Sequence, residues 1–223
     1  MTSSADQSGF WDRAATTKTF THPLDLARLG RFVPRDASIL DYGCGQGRLC
    51  DELSRAGYRG VRGVDASAAM IRLARSRCAN VEFSVVDGGA VPFADGMFDA
   101  VLLFAVLTCI PAEASQKQLV AELVRVLRPG GLLLVSDYPL QEDERNRARY
   151  ALFSEEFHHY GTFRLSDGAV VRHHAAAWFA ELLADLHLEE TVELDARTMN
   201  GNPARIRQIW ATKRKAATSA GTA

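Results

Sequence analysis

The stretch DYGCGQG at residues 41–47 decides the fold of this chain. It follows a short apolar segment that ends at Leu40 and leads into a helix-like pattern that begins at Arg48. Strand, glycine-rich turn and helix is the arrangement of a nucleotide-type cofactor site, because glycines allow a tight turn and let a ligand lie against bare backbone. The stretch therefore predicts a cofactor-binding turn after the first strand of an α/β sheet.

The spacing of the glycines narrows the choice of ligand. A dinucleotide-binding fingerprint reads G-x-G-x-x-G, and its last two glycines serve a pyrophosphate at the start of the helix. Here the spacing is G-x-G-x-G, and Asp41 stands two residues before the first glycine. A carboxylate at that point repels a pyrophosphate but suits a cation. S-adenosylmethionine fits, because it carries an ammonium and a sulfonium and has no phosphate.

The stretch 41–47 resembles motif I of the class I S-adenosylmethionine-dependent methyltransferases of the small-molecule type. Four later segments continue the resemblance in order: GVDAS at 63–67, VDG at 86–88, FDAV at 98–101 and LRPGG at 127–131. The resemblance covers roughly residues 36 to 137, and five ordered segments are specific for the fold and the cofactor. They say little about the methyl acceptor.

Composition excludes several other classes of protein. The 223 residues are 47% hydrophobic and 24% charged with a net charge of −1, which is ordinary for a soluble globular domain and offers no basic field for nucleic acid. We find neither a signal peptide nor an apolar run of 18 residues, so we expect no membrane. The four cysteines form no C-x-x-C pair, which favours reduced thiols in the cytoplasm. A monomer or a homodimer is expected.

Alternating strand and helix patterns predict a doubly wound, mostly parallel sheet. The family resemblance implies seven strands, an antiparallel last strand and a small hairpin insert after strand five. Strands are predicted at 38–42, 60–64, 81–85, 98–104, 132–136, 189–195 and 206–212. A helix is predicted from 113 to 127, and an exposed charged helix from 141 to 149. The single domain 1–223 divides into a helical lid at 10–32, a cofactor-binding core at 36–137, an acceptor-side insert at 138–175, a helix and strand pair at 176–212 and a flexible tail at 213–223.

The cofactor site is expected at the carboxyl ends of the strands, near the point where strand order reverses. Asp65 ends the second strand, where its carboxylate can accept both ribose hydroxyls. The resemblance implies roles for the other positions. Asp41 would stand near the methionine ammonium, and Asp87 would accept the adenine amino group. The remaining expected contacts are Gly43, Gly45, Ala66, Met70, Gly88 and Phe104.

Residues for the methyl acceptor lie outside these motifs. Trp11 is either a stacking partner for the sulfonium or acceptor, or an anchor on the sheet. His22, before Pro23, is either a helix cap or a general base. Asp137 and Tyr138 end strand five and can hold an amine or a hydroxyl group.

The region after strand five is rich in histidine. His159 and His173 are candidate general bases, and Tyr160 and Asn200 are candidate acceptor contacts, with a plain turn as the alternative for Asn200. Adjacent residues of a strand point to opposite faces, so each histidine pair offers at most one ligand, and no metal is expected.

Together these patterns predict a methyltransferase that acts on a small molecule by in-line displacement. An Ala- and Arg-rich, Lys-poor composition associates it with bacterial secondary metabolism. Two alternatives remain open. One is a non-catalytic subunit that binds S-adenosylmethionine, and the other is a nicotinamide-dependent oxidoreductase on a related fold.

Overall fold

The computed structural model of the protein describes residues 8–14, 21–87 and 91–215. The strands in these ranges are β1 Ser38–Tyr42, β2 Gly60–Asp65, β3 Glu82–Val85, β4 Phe98–Phe104, β5 Leu127–Asp137, β6 Thr162–Arg164, β7 Val170–Arg172, β8 Leu186–Arg197 and β9 Pro203–Lys213. The helices are α1 Ser8–Ala14, α2 Leu26–Phe32, α3 Arg48–Arg55, α4 Ala68–Arg77, α5 Glu113–Val126, α6 Glu144–Phe157 and α7 Ala176–Leu182.

Seven strands form one sheet in the order β3-β2-β1-β4-β5-β9-β8. The first five of these are parallel, and β9 runs antiparallel to both β5 and β8. Strands β6 and β7 form a separate antiparallel hairpin after β5. The predicted fold class is thereby confirmed. Because the chain returns to the centre of the sheet between β3 and β4, strand order reverses between β1 and β4, which is where such folds leave a crevice.

Both faces of the sheet are covered by apolar side chains. Ile39 and Leu40 of β1 are fully buried and belong to different core clusters, since neighbouring strand residues point to opposite faces. Leu102 and Leu103 of β4 repeat this arrangement in the next strand. A central strand buried on both faces leaves only its carboxyl end free for ligand contacts.

Strand β5 starts earlier than predicted. A helix to residue 127 and a strand from 132 were expected, but β5 begins at Leu127 and α5 ends one residue before it. The pairing with β4 shifts between Phe98–Leu127 and Ala100–Leu132, and this bulge absorbs the extra residues. The Pro-Gly-Gly signal therefore marks an irregular strand entry instead of a separate turn.

Helix α6 is longer than the charged helix that was predicted at 141–149, and it is not fully exposed. Tyr150 is fully buried and packs in one apolar cluster with Phe163 and Val171 of the hairpin β6–β7. This contact packs α6 against the hairpin.

The N-terminal segment differs in one respect from expectation. Asp25 caps α2, since its carboxylate accepts the Arg28 N–H at 2.8 Å, so His22 is not a helix cap. Residues 15–20 of the predicted lid and 216–223 of the predicted tail lie outside the described residues. Within the ranges described, no helix is both long and apolar enough to span a bilayer.

Candidate functional site

A cavity of about 430 Å³ lies at the crevice between β1 and β4. Tyr42, Asp65 and Phe104 line it from the last residues of β1, β2 and β4. The hairpin β6–β7 and the turn between β8 and β9 complete its wall. The cavity is therefore at the position that the parallel topology prescribes for a ligand.

The glycine-rich turn forms one end of the cavity. Gly43, Gly45 and Gly47 have φ angles of 72°, 52° and 74°, a region that other residues adopt at a cost. The N–H groups of Gly43 and Cys44 both donate to the Val64 carbonyl, at 2.8 and 3.0 Å. These bonds hold the turn against β2 and leave its backbone facing the cavity.

Side chains are also excluded sterically from this turn. A Cβ on Gly43 would lie 2.4 Å from Cγ2 of Val106. A Cβ on Gly47 would lie 3.0 Å from the Ala74 Cβ and 3.1 Å from the Phe83 ring. The turn thus provides a bare backbone surface of the kind that a cofactor can approach closely.

Asp65 is fixed beside this turn by its own carboxylate. One oxygen accepts the Gly45 N–H at 2.9 Å, and the other accepts the Ser67 N–H at 2.8 Å. Burial raises the pKa of Asp65, and the two backbone hydrogen bonds oppose the rise. Each carboxylate oxygen retains a second lone pair, so the side chain can accept a pair of hydroxyl groups from a ligand.

Asp41 is the second carboxylate that lines the cavity, and it is almost fully buried. The Cys50 thiol donates to it at 3.3 Å. Burial raises the pKa of Asp41 to about 7, and the Cys50 hydrogen bond and the Arg48 guanidinium oppose the rise. A cationic group bound nearby would favour the ionised form, since opposite charges stabilise one another at short range.

Helix α1 lies over the start of α4. Asp12 accepts the Ser67 hydroxyl at 2.5 Å and the Ala69 N–H at 3.1 Å. Trp11 lines the cavity next to this contact, and Ala66 and Met70 line it from below. The structure thus brings these three predicted residues together with the two carboxylates.

Asp87 stands apart from the cavity-lining residues. It follows β3 by two residues and is exposed. Gly88 lies outside the described residues, as do 89 and 90. The adenine contacts assigned to Asp87 and Gly88 therefore stay predictions.

Tyr138 lies at the centre of the other end of the cavity. Its ring packs edge-on against His22, at 4.8 Å between centroids, and stacks on His173 at 5.2 Å. All three side chains line the cavity, and Asn200 lines it from the turn between β8 and β9. Phe104 ends β4, which lies between β1 and β5 in the sheet. Along this edge of the sheet, it therefore lies between the glycine turn after β1 and the aromatic group of His22, Tyr138 and His173.

His22 is buried, and its Nδ1 lies 3.0 Å from the Ser136 hydroxyl and 3.2 Å from the Ser136 carbonyl. The carbonyl can only accept, so we assign the proton to Nδ1. Burial lowers the pKa of His22 to about 4. Its Nε2 makes no hydrogen bond to the described residues, so it retains a free lone pair.

His173 is the second histidine of the cavity. Its Nδ1 is 2.6 Å from the Tyr150 hydroxyl. Burial lowers the pKa of His173 well below its ordinary value, and the nearby Arg149 adds to the effect. Both histidines are therefore neutral near pH 7.

Three predicted acceptor residues do not line the cavity. Asp137 is fully buried, and its carboxylate accepts the N–H groups of Thr108 at 3.2 Å and Tyr138 at 2.8 Å. His159 pairs at the surface with a glutamate, and Tyr160 is 56% exposed. His159 and Tyr160 follow the end of α6, which stops where His158 adopts a left-handed conformation with φ 54°.

Besides Arg48 and Arg77 near the glycine turn, sequence reasoning missed two arginines of the cavity wall on α6, Arg145 and Arg149. They are four residues apart, which places them on one face of a helix. That spacing was a usable signal, but the segment read as a solvated charged helix.

The adjacent histidines His173 and His174 point in different directions, as predicted. The first lines the cavity, and the Nε2 of the second lies 2.9 Å from Gln116.

The order of the seven strands, with a glycine turn after β1 and a carboxylate at the end of β2, is that of the class I methyltransferase fold. Residues 39–131 match the family model described as a methyltransferase domain. A solved S-adenosylmethionine-dependent methyltransferase from Methanosarcina mazei is 26% identical with a TM-score of 0.81, covering 86% of this chain and 100% of that one.

Two curated relatives have more specific names. A demethylmenaquinone methyltransferase from Tropheryma whipplei (strain Twist) is 33% identical over 45% of this chain and 41% of its own length. A tRNA (carboxymethyluridine(34)-5-O)-methyltransferase from Xenopus tropicalis is 32% identical over 55% of this chain and 19% of its own length. The matched region thus spans less than half of either relative.

Residues 39–131 thus form a methyltransferase domain, and this match and the solved neighbour support a class I S-adenosylmethionine-dependent methyltransferase that uses S-adenosylmethionine. The donor set of the cavity fits this cofactor. Its glycine turn offers backbone with positive φ and no side chains, and its carboxylates suit a ligand with positive charge and sugar hydroxyls.

Proposed function

We propose that the protein transfers a methyl group from S-adenosylmethionine to a small-molecule acceptor by in-line displacement. One observation carries the proposal: a single cavity joins the glycine turn to the aromatic group around Tyr138, and Phe104 lines it. A subunit that only binds the cofactor needs no such space beyond Phe104. A nicotinamide enzyme needs a pyrophosphate site, which a carboxylate at Asp41 opposes.

Each cavity residue then has a role in binding or alignment. Asp65 binds the ribose hydroxyls, Asp41 balances the ammonium, and Gly43 and Gly45 let the backbone approach. Bound S-adenosylmethionine supplies an activated methyl carbon. The chain mainly orients the acceptor and excludes water, and orientation alone can lower a barrier by roughly 7–11 kcal/mol.

A small acceptor is favoured by the size and charge of the molecule. The cavity of about 430 Å³ has the size of a small-molecule site. The net charge of −1 gives no general attraction to RNA, although one relative acts on tRNA. We also infer a bacterial enzyme of secondary metabolism that works in the cytoplasm, from its Arg-rich composition and its four free cysteines.

Transfer itself can be tested with S-adenosylmethionine that carries a labelled methyl group. Incubation with a bacterial metabolite extract should move label into a small organic product. Label that enters only RNA, or no product at all despite cofactor binding, would contradict the proposal. The control is the Asp65→Ala variant, which should transfer little label; label that this variant transfers as fast as the parent does not depend on the cavity.

His22 is the candidate general base, with His173 as the alternative. Replacing His22 by glutamine should lower kcat by roughly tenfold or more, because a positioned base contributes about 10²–10⁴-fold. The exposed His187 of β8, replaced in the same way, is the matched control. If the rate of the His22 variant equals that of the control at every pH from 6 to 9, His22 is not the base, and His173→Gln is the next variant to measure.

The ionisation of Asp41 should make cofactor affinity depend on pH. Its pKa is about 7 in the unliganded protein, so below pH 7 binding of the ammonium must expel a proton. Affinity for S-adenosylhomocysteine should therefore rise with pH, by up to about tenfold per unit well below pH 7, and level off above it. Calorimetry from pH 5.5 to 8 measures this, and the slope should be smaller in Asp41→Asn, where only Asp65 contributes to it. An affinity that falls with rising pH would contradict the assignment.

A further inference from the structure

Among the residues described, charged side chains are mixed at one end of the cavity and only cationic at the other, since Arg48 and Arg77 line the glycine-turn end beside its carboxylates. The carboxylates among the described residues that line it are Asp41 and Asp65, and both lie at the glycine turn. The far end is lined by Arg145 and Arg149, which project from one face of α6. A methyl acceptor that enters this end therefore meets two guanidinium groups and no described carboxylate.

Arg149 is held in place without an ion-pair partner. Its Cζ lies 3.6 Å from the centroid of the Phe163 ring, over the ring face. None of the described ion pairs includes Arg149, and its Nε is buried without a hydrogen-bond partner among the described residues. A partly buried cation that lacks an anion costs free energy, which an anionic ligand would offset.

Among the described residues, Arg145 has one weak ion-pair partner, the residue that caps α6. Its Nε lies 3.9 Å from Oδ1 of Asp143, and both side chains are about half exposed. A pair of that kind contributes little and leaves the rest of the guanidinium available. The two arginines together can provide a forked set of donors.

The surfaces around the arginines are apolar or aromatic. Ile110, Leu165 and Val171 line the same end of the cavity, next to the rings of Phe163 and Tyr138. Such a surface binds the body of an apolar or aromatic molecule, while a single polar group sets its orientation.

We propose that the methyl acceptor is an organic acid with an apolar or aromatic body, whose carboxylate or phosphate binds to Arg149 and Arg145. This inference rests on the proposed methyl transfer and adds the chemical class of the acceptor. A guanidinium binds either oxyanion through two parallel hydrogen bonds, which fixes the direction of the acceptor. The rest of the acid would then point along the cavity toward Phe104.

The test uses the protein saturated with S-adenosylhomocysteine and two fluorescent probes. One is 8-anilinonaphthalene-1-sulfonate, whose sulfonate stands in for the acid. The other is N-phenyl-1-naphthylamine, which has the same aromatic body and no charge. The anionic probe should bind at least tenfold more tightly, and equal affinities or no binding of the anionic probe would overturn the proposal.

Variants of α6 then locate the charge. Arg149→Ala should weaken the anionic probe at least tenfold and leave the neutral probe unchanged, and Arg149→Lys should lie between this variant and the parent. Arg147→Ala is the matched control, because Arg147 is exposed on the same helix and does not line the cavity. An Arg149→Ala variant that binds the anionic probe like the parent would overturn the proposal.

Displacement identifies the acid. Release of the probe by 1-naphthoate at lower concentration than by 1-naphthyl phosphate assigns a carboxylate, and the reverse order assigns a phosphate. Release by neither would contradict the proposal.

Titration of S-adenosylhomocysteine is measured in parallel. If the parent protein does not bind it, the proposed function is wrong. If the parent protein binds it but shows no preference for the anionic probe, only the proposed acid acceptor is wrong. Normal titration with Arg149→Ala also shows that this variant is folded.

Discussion

Replacing Asp65 by alanine is expected to weaken the binding of S-adenosylhomocysteine by at least about a hundredfold. A hydrogen bond to a charged group contributes about 1.5–3 kcal/mol, and the carboxylate would accept two ribose hydroxyls. Since 1.4 kcal/mol corresponds to tenfold in affinity, the loss of both bonds gives roughly 10² or more. Isothermal titration calorimetry of the variant against the parent measures the change directly.

The change at Asp65 also removes two backbone contacts, so folding needs its own control. The N–H groups of Gly45 and Ser67 would lose their acceptors, at a cost of about 1–3 kcal/mol for each group that stays buried. Thermal unfolding of the variant reports this loss separately. Asp195→Ala, at an exposed position of β8, is the matched control for removal of a carboxylate. Equal affinity of Asp65→Ala and Asp195→Ala would refute the ribose contact.

Replacing Gly43 by alanine is expected to cost about 2–5 kcal/mol of stability and to abolish measurable cofactor binding. A left-handed φ of 72° costs a non-glycine residue about 1–2 kcal/mol. The new Cβ would also lie 2.4 Å from Cγ2 of Val106, and relief of such overpacking costs typically 1–3 kcal/mol. Chemical denaturation gives the stability, and calorimetry gives the affinity.

Gly57→Ala separates the two causes. Gly57 also has a positive φ, at 91°, but nothing lies within 4 Å of its Cβ position. This variant should therefore show the backbone penalty without the clash and should keep its cofactor affinity. If Gly43→Ala is no less stable than Gly57→Ala and still binds the cofactor, Gly43 does not lie as close to Val106 as the structure shows.

The glycine turn could be predicted from sequence because its requirement is local. Backbone with positive φ strongly favours glycine, so the spacing of the glycines at 41–47 indicates the backbone conformation of the turn. Asp65 could be placed for a related reason, since it ends a strand whose neighbours in a parallel sheet end at the same edge. The resemblance to a family then supplied the nature of the cofactor.

The acceptor end could not be predicted in the same way, because tertiary packing decides it. Tyr150 makes α6 a packed helix only because Phe163 and Val171 return from the hairpin β6–β7 to meet it. That contact turns Arg149 toward the cavity, whereas the local sequence reads as a solvated helix. Similarly, His159 lies at the surface just after the left-handed residue that ends α6, and no pattern in the sequence marks that residue.

The entry into β5 was missed for a different reason. The run at 128–131 has the composition of a turn. In the structure it forms a bulge, because Phe98 of β4 pairs with Leu127 while Ala100 pairs with Leu132. A bulge and a turn use the same residue types, so register cannot be read from them. The proposed division into lid, core, insert and tail stays a prediction.

The most direct test of the central claim is a calorimetric titration of the unmodified protein with S-adenosylhomocysteine and, separately, with NADH. The structure predicts a single site for S-adenosylhomocysteine with micromolar or tighter affinity and no detectable heat from NADH. Silence with S-adenosylhomocysteine and S-adenosylmethionine, or saturable binding of NADH, would contradict the account of the turn at 41–47.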